Sequence, residues 1–475
     1  MMDAKETGRV QPVKVMNFPH TFVIILAMIV VALILTWVVP AGMYDFIKTP
    51  SGQKVVDPAT FRYIKSTGIN PVLIPLYIIK SFSKRIDLMM VIFMAGSAFH
   101  VVTKTGALQA ILAKGAKRFS NRLEVFIPVL TLIFGLICTT QGVNTFIPFA
   151  PVMVMLAMAM GLDSITGEAI MVLGGAIGFS TGTFNMFTTV VAQDIAELPA
   201  YSGLWYRAVC FVVFYIVTNW YLIRYAKKIK KNPTMSPMFD LDQEMKAEEA
   251  TMDLEAASEL TGRMLAPLVL LVIAFAVIIY GAIVLKWGMA HMAAMFLTYS
   301  VVADLMIGTP VNTVCKDILD GSKQMLGAAF IIGMATAISG IMDAGKITYT
   351  IVHATSELLS GLPPIIIAPG MVLANTLINL FLTSGSGQAV AVMPILIPLA
   401  DVLGVTRQTT VLAFNFGDGF CNFILPTSTA LMGTLSVTNI PYDRWMRFMW
   451  KLFLIWLVTG CVMTLIAQMI HLGPM

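Results

Sequence analysis

Long apolar runs, separated by short polar stretches, follow one another along the chain from about residue 20 to about residue 470. A helix of about 20 apolar residues is long enough to cross the hydrocarbon core of a bilayer. The pattern therefore predicts an all-α polytopic membrane protein. The predicted crossing segments are 20–40, 86–103, 165–197, 203–225, 264–286, 289–307, 326–342, 407–437 and 442–470.

Two further apolar stretches, 123–160 and 364–402, are each long enough to cross twice, but each has a polar centre. The centres are CTTQGVNT at 138–145 and TSGSGQ at 383–388. Irregular polar backbone is tolerated at membrane depth only where it faces protein or water. We therefore expect each stretch to form a re-entrant hairpin whose tip lies inside the membrane.

The chain is predicted to consist of two related halves, 1–225 and 264–475, joined by a polar cytoplasmic linker at 226–263. Each half then contains one hairpin and one broken helix, at 165–197 in the first half and at 407–437 in the second. The evidence is a set of landmark residues that recur in the same order at an offset of 239 to 243. Examples are Gly106 with Gly345, Pro151 with Pro394, and Trp205-x-Arg207 with Trp445-x-Arg447.

The basic residues predict the orientation. If the N-terminus is cytoplasmic and the C-terminus is outside, most of the 31 Lys and Arg fall on the inside, as the positive-inside rule requires. Segment 86–103 then runs inward and its repeat partner 326–342 runs outward, so the repeats are predicted to be inverted. Inverted repeats with broken helices near mid-membrane are typical of secondary transporters.

The amino-acid composition excludes several classes of protein. Only 12% of the residues are charged and 57% are hydrophobic, which excludes a set of soluble domains, a disordered chain and a nucleic-acid-binding protein. The five Cys are scattered without a C-x-x-C pair, which argues against a disulfide scaffold or a metal centre. The sequence has neither a G-x-x-x-x-G-K-[ST] loop nor an H-E-x-x-H motif. A transporter is therefore favoured over an intramembrane enzyme or a channel, with no cofactor beyond a coupling Na⁺ or H⁺.

The candidate chemistry lies in the two hairpin tips and in two helices that Gly or Pro interrupts, at 174–189 and 415–433. An interrupted helix frees backbone carbonyls, which can hold a cation, and exposes a helix N-terminus, which can hold a carboxylate. We expect the two tips and the two breaks to form one central site. Close helix packing is the alternative explanation for Gly174, Gly178 and Gly182.

Asp418 is the strongest internal acid, because it lies between two glycines at the predicted depth of the second break. An ionised group at that depth is costly and usually functional. It could pair with a cationic substrate, bind a coupling cation or carry a proton, and the alternative is a carboxylate satisfied by nearby amides. Four other charged residues flank helices and are expected at the membrane interface: Asp163, Glu168, Asp401 and Arg407.

Four stretches carry a family resemblance: NFPHTFVIIL at 17–26, VVPAGMYD at 38–45, TSGSGQAVAVMPILIPLAD at 383–401 and GFCNFILPTS at 419–428. They resemble the YfcC family of the ion transporter superfamily. That family is grouped with the anaerobic four-carbon dicarboxylate carriers and with basic amino acid antiporters of the arginine–ornithine type. The resemblance implies a homodimer in the bacterial inner membrane, with an outer scaffold part and a mobile part that carries the hairpins and broken helices in an elevator-like movement.

The resemblance also implies the residues of the site. Those of the tips are Gly142, Asn144, Thr145, Ser384, Gly385, Ser386 and Gly387, and those of the broken helices are Thr183, Asn185, Asn422, Pro426 and Thr427. The residue pattern itself adds Gln388 and Asp418. Sodium-coupled dicarboxylate members of the superfamily carry Ser-Asn-Thr at both tips, whereas this chain has Val-Asn-Thr at 143–145 and no Asn in the second tip. This departure weighs against dicarboxylate specificity and a two-sodium arrangement.

The predicted substrate is a small amino acid or organic acid. The site as predicted offers donors for one carboxylate, contains no Arg or Lys, and has one acid, Asp418. A dianion would meet that acid as a like charge, whereas a cationic amino acid would be attracted to it. Basic amino acids such as arginine and ornithine are therefore favoured over a four-carbon dicarboxylate. The other expected partners are the lipid bilayer and a second copy of the chain, with no nucleic acid.

Overall fold

The computed structural model describes residues 21–48, 54–66, 68–105, 122–251, 262–285, 287–361 and 364–473. Three segments lie outside these residues: the predicted cytoplasmic N-terminus, the end of the linker and most of 104–124, whose five Lys and Arg count toward the predicted inside. The predictions about those three segments are therefore not addressed by the structure.

The first half begins with α1 (Thr21–Val38) and four short strands. Strand β1 (Gly42–Met43) pairs antiparallel with β4 (Arg62–Tyr63), and β2 (Phe46–Lys48) pairs antiparallel with β3 (Lys54–Val56). The helices that follow are α2 (Ile74–Lys84), α3 (Ile86–Lys104), α4 (Leu123–Cys138), α5 (Ala150–Ala159), α6 (Ser164–Thr181), α7 (Thr189–Ile195) and α8 (Leu204–Lys231). A short 3₁₀ segment, Val143–Phe149, precedes α5.

The linker contains one helix, α9 (Phe239–Thr251), and the second half is again helical. Its helices are α10 (Gly262–Ile283), α11 (Met289–Met306), α12 (Val311–Gln324), α13 (Leu326–Ala344), α14 (Thr348–Ser360), α15 (Pro364–Asn379), α16 (Gly385–Leu403), α17 (Arg407–Cys421), α18 (Thr429–Val437) and α19 (Tyr442–Met469). Each predicted crossing segment and each predicted hairpin coincides with one helix or with a pair of helices. The prediction of an almost wholly helical chain is confirmed.

Seven helices of the described part are long and apolar enough to cross a membrane: α3, α6, α8, α11, α13, α16 and α19. Their large apolar side chains cover the outside of the molecule as well as its core. Ile216 on α8 and Val458 on α19, for example, are 60% and 64% exposed. Such a surface is unfavourable in water and favourable against lipid. A multi-pass membrane protein is the consistent interpretation.

The second half repeats the order of elements of the first half. Helices α2 and α3 correspond to α12 and α13, the pair α4–α5 to α15–α16, the pair α6–α7 to α17–α18, and α8 to α19. The matched residues nevertheless differ in environment. Arg207 is buried, whereas its counterpart Arg447 is half exposed and contacts Asp443. Helices that correspond in order along the two halves thus carry side chains in different environments.

Helix α6 lies at the centre of the molecule, with almost every residue buried. It packs closely against α4, because Gly174 and Gly178 leave room for the α4 backbone. An added Cβ at Gly174 would lie 2.6 Å from the carbonyl oxygen of Thr131, and one at Gly178 would overlap the carbonyl oxygen of Gly135. Close packing therefore accounts for these two glycines. Gly182 ends the helix with φ +66°, a conformation that favours glycine.

Three features were absent from the sequence prediction. Helices α2 and α12 are amphipathic elements inside segments that were predicted as loops, and α14 lies between α13 and the second hairpin. The strands form a cap beside α14, where Gly42 N donates to the carbonyl oxygen of Lys346 at 2.9 Å. In this cap, both oxygens of Asp45 accept hydrogen bonds from Arg62 at 2.8 Å, which lowers the pKa of Asp45.

Candidate functional site

A cavity of about 550 Å³ lies where the two hairpin tips and the two helix breaks meet. The first hairpin contributes Thr140 to Thr145 and the second contributes Thr383 to Ser386. The first break contributes Met186 to Thr188, and the second contributes Asn422, Phe423 and Ser428 to Ala430. The remaining walls are Arg85, Phe179, Trp287 to Met289 and Met292. The four interrupted segments are thus brought together around one space, as the sequence analysis expected.

The first tip is an irregular turn between α4 and the 3₁₀ segment. The Thr140 hydroxyl donates to the carbonyl oxygen of Ile137 at 3.1 Å, which closes α4, and Gly142 then turns the chain with extended backbone. Asn144 follows within the 3₁₀ segment, and its Oδ1 is buried without a hydrogen-bond partner among the described residues. An unpaired buried amide oxygen is costly, so this group is ready to accept a hydrogen bond from a ligand.

The second tip is the N-terminus of α16. Ser384 is its N-cap, and its Oγ accepts a hydrogen bond from the backbone N–H of Gly387 at 3.4 Å. The first backbone N–H groups of a helix lack partners within the helix and carry partial positive charge. Ser384, Gly385 and Ser386 line the cavity, so this helix end provides donors suited to a carboxylate.

Asp418 lies behind the second tip and is not part of the cavity wall. Asn379 Nδ2 donates to Asp418 Oδ1 at 2.6 Å and to Gln388 Oε1 at 3.0 Å, and Gln388 Nε2 donates to the carbonyl oxygen of Asn375 at 3.1 Å. A Cβ at Gly385 would lie 2.9 Å from Asp418 Oδ2, so the tip backbone separates the carboxylate from the cavity. The acid therefore supports the tip through buried amides, as the alternative explanation stated.

The breaks are held by their own side chains. Asn185 Oδ1 accepts hydrogen bonds from the backbone N–H groups of Phe187 at 2.9 Å and Thr188 at 3.1 Å. Asn422 Nδ2 donates to the carbonyl oxygen of Asp418 at 2.7 Å. Of the predicted site residues, seven line the cavity: Gly142, Asn144, Thr145, Ser384, Gly385, Ser386 and Asn422. Seven others do not: Thr183, Asn185, Gly387, Gln388, Asp418, Pro426 and Thr427.

Arg85 is the charged residue of the cavity wall, and the sequence analysis missed it. It joins α2 to α3, next to the cavity face that Trp287 and Met289 complete. Among the described residues, no carboxylate lies within 4.0 Å of its guanidinium, and its buried Nε has no hydrogen-bond partner. The expectation of a site without Arg or Lys is therefore wrong. The sequence signal was a lone Arg at the start of an apolar run, in a segment predicted as an outer loop.

A second arginine, Arg207, lies behind the first break. Its Nη1 donates to Asn415 Oδ1 at 2.7 Å, and Asn415 Nδ2 donates to the hydroxyl of Thr188 at 3.3 Å. Thr188 is part of the cavity wall. No carboxylate of the described chain lies within 4.0 Å of this guanidinium either. Because a buried cation raises the local potential, both arginines favour an anion in the cavity.

Asp163 and Glu168, which were predicted at the membrane interface, are both buried within the protein. Asp163 caps α6, and its Oδ1 accepts a hydrogen bond from Thr166 N at 3.0 Å. Asp401 and Arg407 are partly exposed and form an ion pair at 2.8 Å, consistent with an interfacial position.

Comparison with known proteins assigns the chain to a protein family. The family model described as "DcuC: C4-dicarboxylate anaerobic carrier" matches residues 18–469. An Escherichia coli (strain K12) protein described as "Putative basic amino acid antiporter YfcC" is 32% identical over 477 residues, covering 92% of this chain and 94% of that protein. An uncharacterized protein of Haemophilus influenzae is 27% identical over 496 residues, covering 95% of this chain and 97% of that protein. These matches confirm the resemblance that the four sequence stretches predicted.

Two solved transporter structures are similar at low identity. The YdaH transporter of Alcanivorax borkumensis is 15% identical, with a TM-score of 0.39, and the match covers 96% of this chain and 100% of that chain. MtrF of Neisseria gonorrhoeae, described within a class of antimetabolite efflux pumps, is 16% identical, with a TM-score of 0.40 and coverage of 96% of both chains. Similarity at this level carries no conclusion about mechanism or substrate.

Proposed function

Because this chain belongs to the DcuC family of C4-dicarboxylate anaerobic carriers, we propose that it is a secondary active transporter that binds small carboxylates in the cavity between the hairpin tips. The observation that carries this proposal is Arg85, a cation without a carboxylate partner in the described structure, facing the cavity that both tips enclose. A four-carbon dicarboxylate is the first candidate substrate. One of its carboxylates would pair with Arg85, and the other would lie at the N-terminus of α16.

The site chemistry supports an anion more strongly than a cation. Arg85 is the charged group among the cavity-lining residues, and Arg207 adds a second positive charge behind the first break. Asp418 is the opposing acid, but Gly385 and the amide of Asn379 stand between it and the substrate space. A basic amino acid would therefore meet Arg85 as a like charge before it reached the influence of Asp418.

Basic amino acids such as arginine and ornithine remain the second candidate class, in an exchange reaction. The specific observation in their favour is the buried carboxyl of Asp418, which lies directly behind the second tip. The 32% identical relative bears a name of that kind. An α-carboxylate of such a substrate would pair with Arg85, so both classes share one contact and differ at the other end of the ligand.

The transport mode that we propose follows the two-half organisation. The repeats are inverted, the hairpins are re-entrant and move with the broken helices as one body, and the protein works as a homodimer with Na⁺ or H⁺ as coupling ion. The N-terminus is cytoplasmic and the C-terminus is outside. In that orientation the N-termini of α3 and α11, which bring Arg85 and Trp287 to the cavity, lie at the outer end of the molecule, so the cavity faces outward.

Counterflow into proteoliposomes tests the substrate class. Vesicles with purified protein are loaded with unlabelled succinate or unlabelled arginine, and uptake of the same labelled compound is followed, with protein-free vesicles as the control. We expect saturable succinate counterflow that malate and fumarate inhibit and ornithine does not. Arginine counterflow without succinate counterflow would overturn the dicarboxylate assignment and support the second class. If neither compound and no other small carboxylate shows counterflow, the transporter proposal itself is contradicted.

A further inference from the structure

Glu168 is a buried acid that the substrate cavity does not use. It lies on α6, one helical turn beyond the first residue Ser164, and its side chain has no exposed surface. It is absent from the cavity wall, which α6 reaches only at its other end through Phe179. A carboxyl group in such a place is costly unless it is paired or neutral.

The hydrogen-bonding groups around Glu168 favour the neutral acid. Neither carboxyl oxygen accepts a hydrogen bond from a donor among the described residues. The hydroxyl of Thr434 on α18 lies beside the carboxyl, but it donates its own proton to the carbonyl oxygen of Leu431 at 2.9 Å. The described residues therefore offer no hydrogen bond to a carboxylate at this place.

The helices packed against α6 supply no counter-charge. Helices α5 and α18 and the 3₁₀ segment have no acidic or basic side chain. The lysines that end α8 are exposed or half-buried, and Arg224 stacks on Trp220. The other charged groups on α4, α8 and α17 are held elsewhere: Glu124 by Lys227, Arg207 by Asn415, Arg407 by Asp401, and Asp418 by Asn379. No described cation lies within 4.0 Å of Glu168.

A short row of polar groups leads from the linker to this acid. Ser164 precedes Glu168 by four residues, so both side chains lie on one face of α6, about 6 Å apart along the helix axis. The Ser164 hydroxyl is buried without a hydrogen-bond partner among the described residues, and the Ser164 backbone N–H donates to Asp242 Oδ2 of the linker helix α9 at 3.1 Å. Asp242 is itself buried, with 6% exposure.

At this point the linker is fixed to the helices by hydrogen bonds. The Ser236 hydroxyl donates to Asp163 Oδ2 at 2.6 Å, and the Tyr225 hydroxyl donates to the same atom at 2.5 Å. Arg444, at the start of α19, donates to Asp240 of the linker at 2.9 Å. The linker therefore holds Asp242 in place over the N-terminus of α6 and ties both halves together there.

We propose that Glu168 is a proton-binding site, separate from the substrate cavity, through which transport is coupled to proton movement. In the conformation described, the carboxyl holds a proton, because no described donor or cation stabilises the carboxylate. When the body that carries α6 moves relative to the linker helix α9, the contact between Asp242 and Ser164 opens, water reaches the carboxyl along this route, and the proton leaves to that water as the carboxylate forms. No other bond changes. The coupling role rests on the proposed transport function, but the proton site itself does not.

The transport test compares wild type with Glu168→Gln, which has nearly the shape of the protonated acid and cannot release a proton. Steady-state substrate accumulation is measured with and without an imposed gradient of one pH unit, which changes the accumulation ratio about tenfold for each coupled proton. We expect wild type to respond to the gradient and Glu168→Gln to retain counterflow without responding. The matched control is Glu357→Gln, an exposed acid of α14 that should respond as wild type does.

Two results would overturn the coupling role while leaving the transporter proposal intact. One is a Glu168→Gln protein that responds to the gradient as wild type does. The other is a wild type with normal counterflow and no response to the gradient. If wild type shows no counterflow at all, the transporter proposal fails, and a measurement without substrate then decides about the proton site.

That measurement is infrared spectroscopy of the membrane-embedded protein at neutral pH. We expect a protonated-carboxyl band in wild type that disappears in Glu168→Gln and persists in Glu357→Gln and in Asp418→Asn. A spectrum in which Glu168→Gln leaves the protonated-carboxyl bands unchanged would overturn the assignment of a proton to this residue.

Discussion

Replacement of Arg85 should weaken substrate binding without weakening the fold. The guanidinium faces the cavity and has no carboxylate partner in the described structure, so Arg85→Gln breaks no ion pair of the protein. Its buried Nε has no hydrogen-bond partner to lose. The variant loses no ion pair and removes a partly buried, unpaired charge, which is costly to desolvate, so we expect the thermal unfolding midpoint in detergent to stay the same or to rise.

The expected loss of affinity follows from the bond that Arg85 would make. A hydrogen bond to a charged group contributes about 1.5–3 kcal/mol, which corresponds to roughly a 10- to 150-fold increase in Kd for a dicarboxylate. Arg85→Lys keeps the charge but loses the two-pronged geometry, so its loss should be smaller. The measurement is the concentration dependence of labelled succinate counterflow for wild type, Arg85→Gln and Arg85→Lys.

The matched control is Lys84→Gln, which removes the adjacent, exposed positive charge at the end of α2. We expect this variant to have the wild-type concentration dependence, because a solvated charge contributes little. A folded Arg85→Gln protein with wild-type affinity for succinate would refute the assignment of Arg85 to the substrate. Equal losses in Lys84→Gln and Arg85→Gln would show that general surface charge, and not the cavity contact, is responsible.

Three further outcomes are expected. Asp418→Asn should abolish counterflow without preventing folding, because it removes the ionisable carboxyl behind the second tip and keeps an oxygen that can accept from Asn379; normal counterflow by this variant would exclude Asp418 from the mechanism. Gly178→Ala should reduce the free energy of unfolding by roughly 1–3 kcal/mol through overpacking and so lower the thermal midpoint, whereas Gly327→Ala, with nothing within 4 Å of the new Cβ, should not; equal midpoints would contradict the packing. Arg62→Gln should lower the midpoint at neutral pH but not below the lowered pKa of Asp45, where that acid is uncharged; a pH-independent effect would contradict the pairing.

The sequence predicted the helices well because their signal is local. Apolar runs of membrane-spanning length identified the long helices, and the polar centres of 123–160 and 364–402 identified the turns between paired helices. Helices α2 and α12 were missed because each is short and amphipathic, with polar residues that interrupt the apolar pattern. Such helices are stabilised by the neighbours they pack on rather than by their own composition.

The candidate site was predicted in outline and not in its charge. Both tips and both breaks meet at one cavity, as expected from their polar residues. Arg85 is about 55 residues from the first tip, and Arg207 is 208 residues from its partner Asn415. Contacts of this kind arise from tertiary packing, which the pattern of a single sequence does not encode.

The buried acids illustrate the same limit. Glu168 was expected at the membrane interface because it lies near the start of a helix. Its side chain is fully buried within the protein, which the pattern of that one helix does not reveal. Asp418 was expected to face the substrate because it lies between two glycines. In the structure these glycines instead admit neighbouring backbone and side chains: Gly417 lies against α15, and Gly419 lies against Ser180. The burial of Asp418 was thus predictable, but the direction of its side chain was not.

The most direct test of the central proposal is a cryo-EM map of the protein in lipid nanodiscs with saturating succinate. We predict substrate density in the cavity between the two tips, within hydrogen-bond distance of the Arg85 guanidinium and next to Asn144 and Ser386. A cavity without density at a saturating concentration, or density bound elsewhere in the molecule, would contradict the proposal that this cavity is the substrate site.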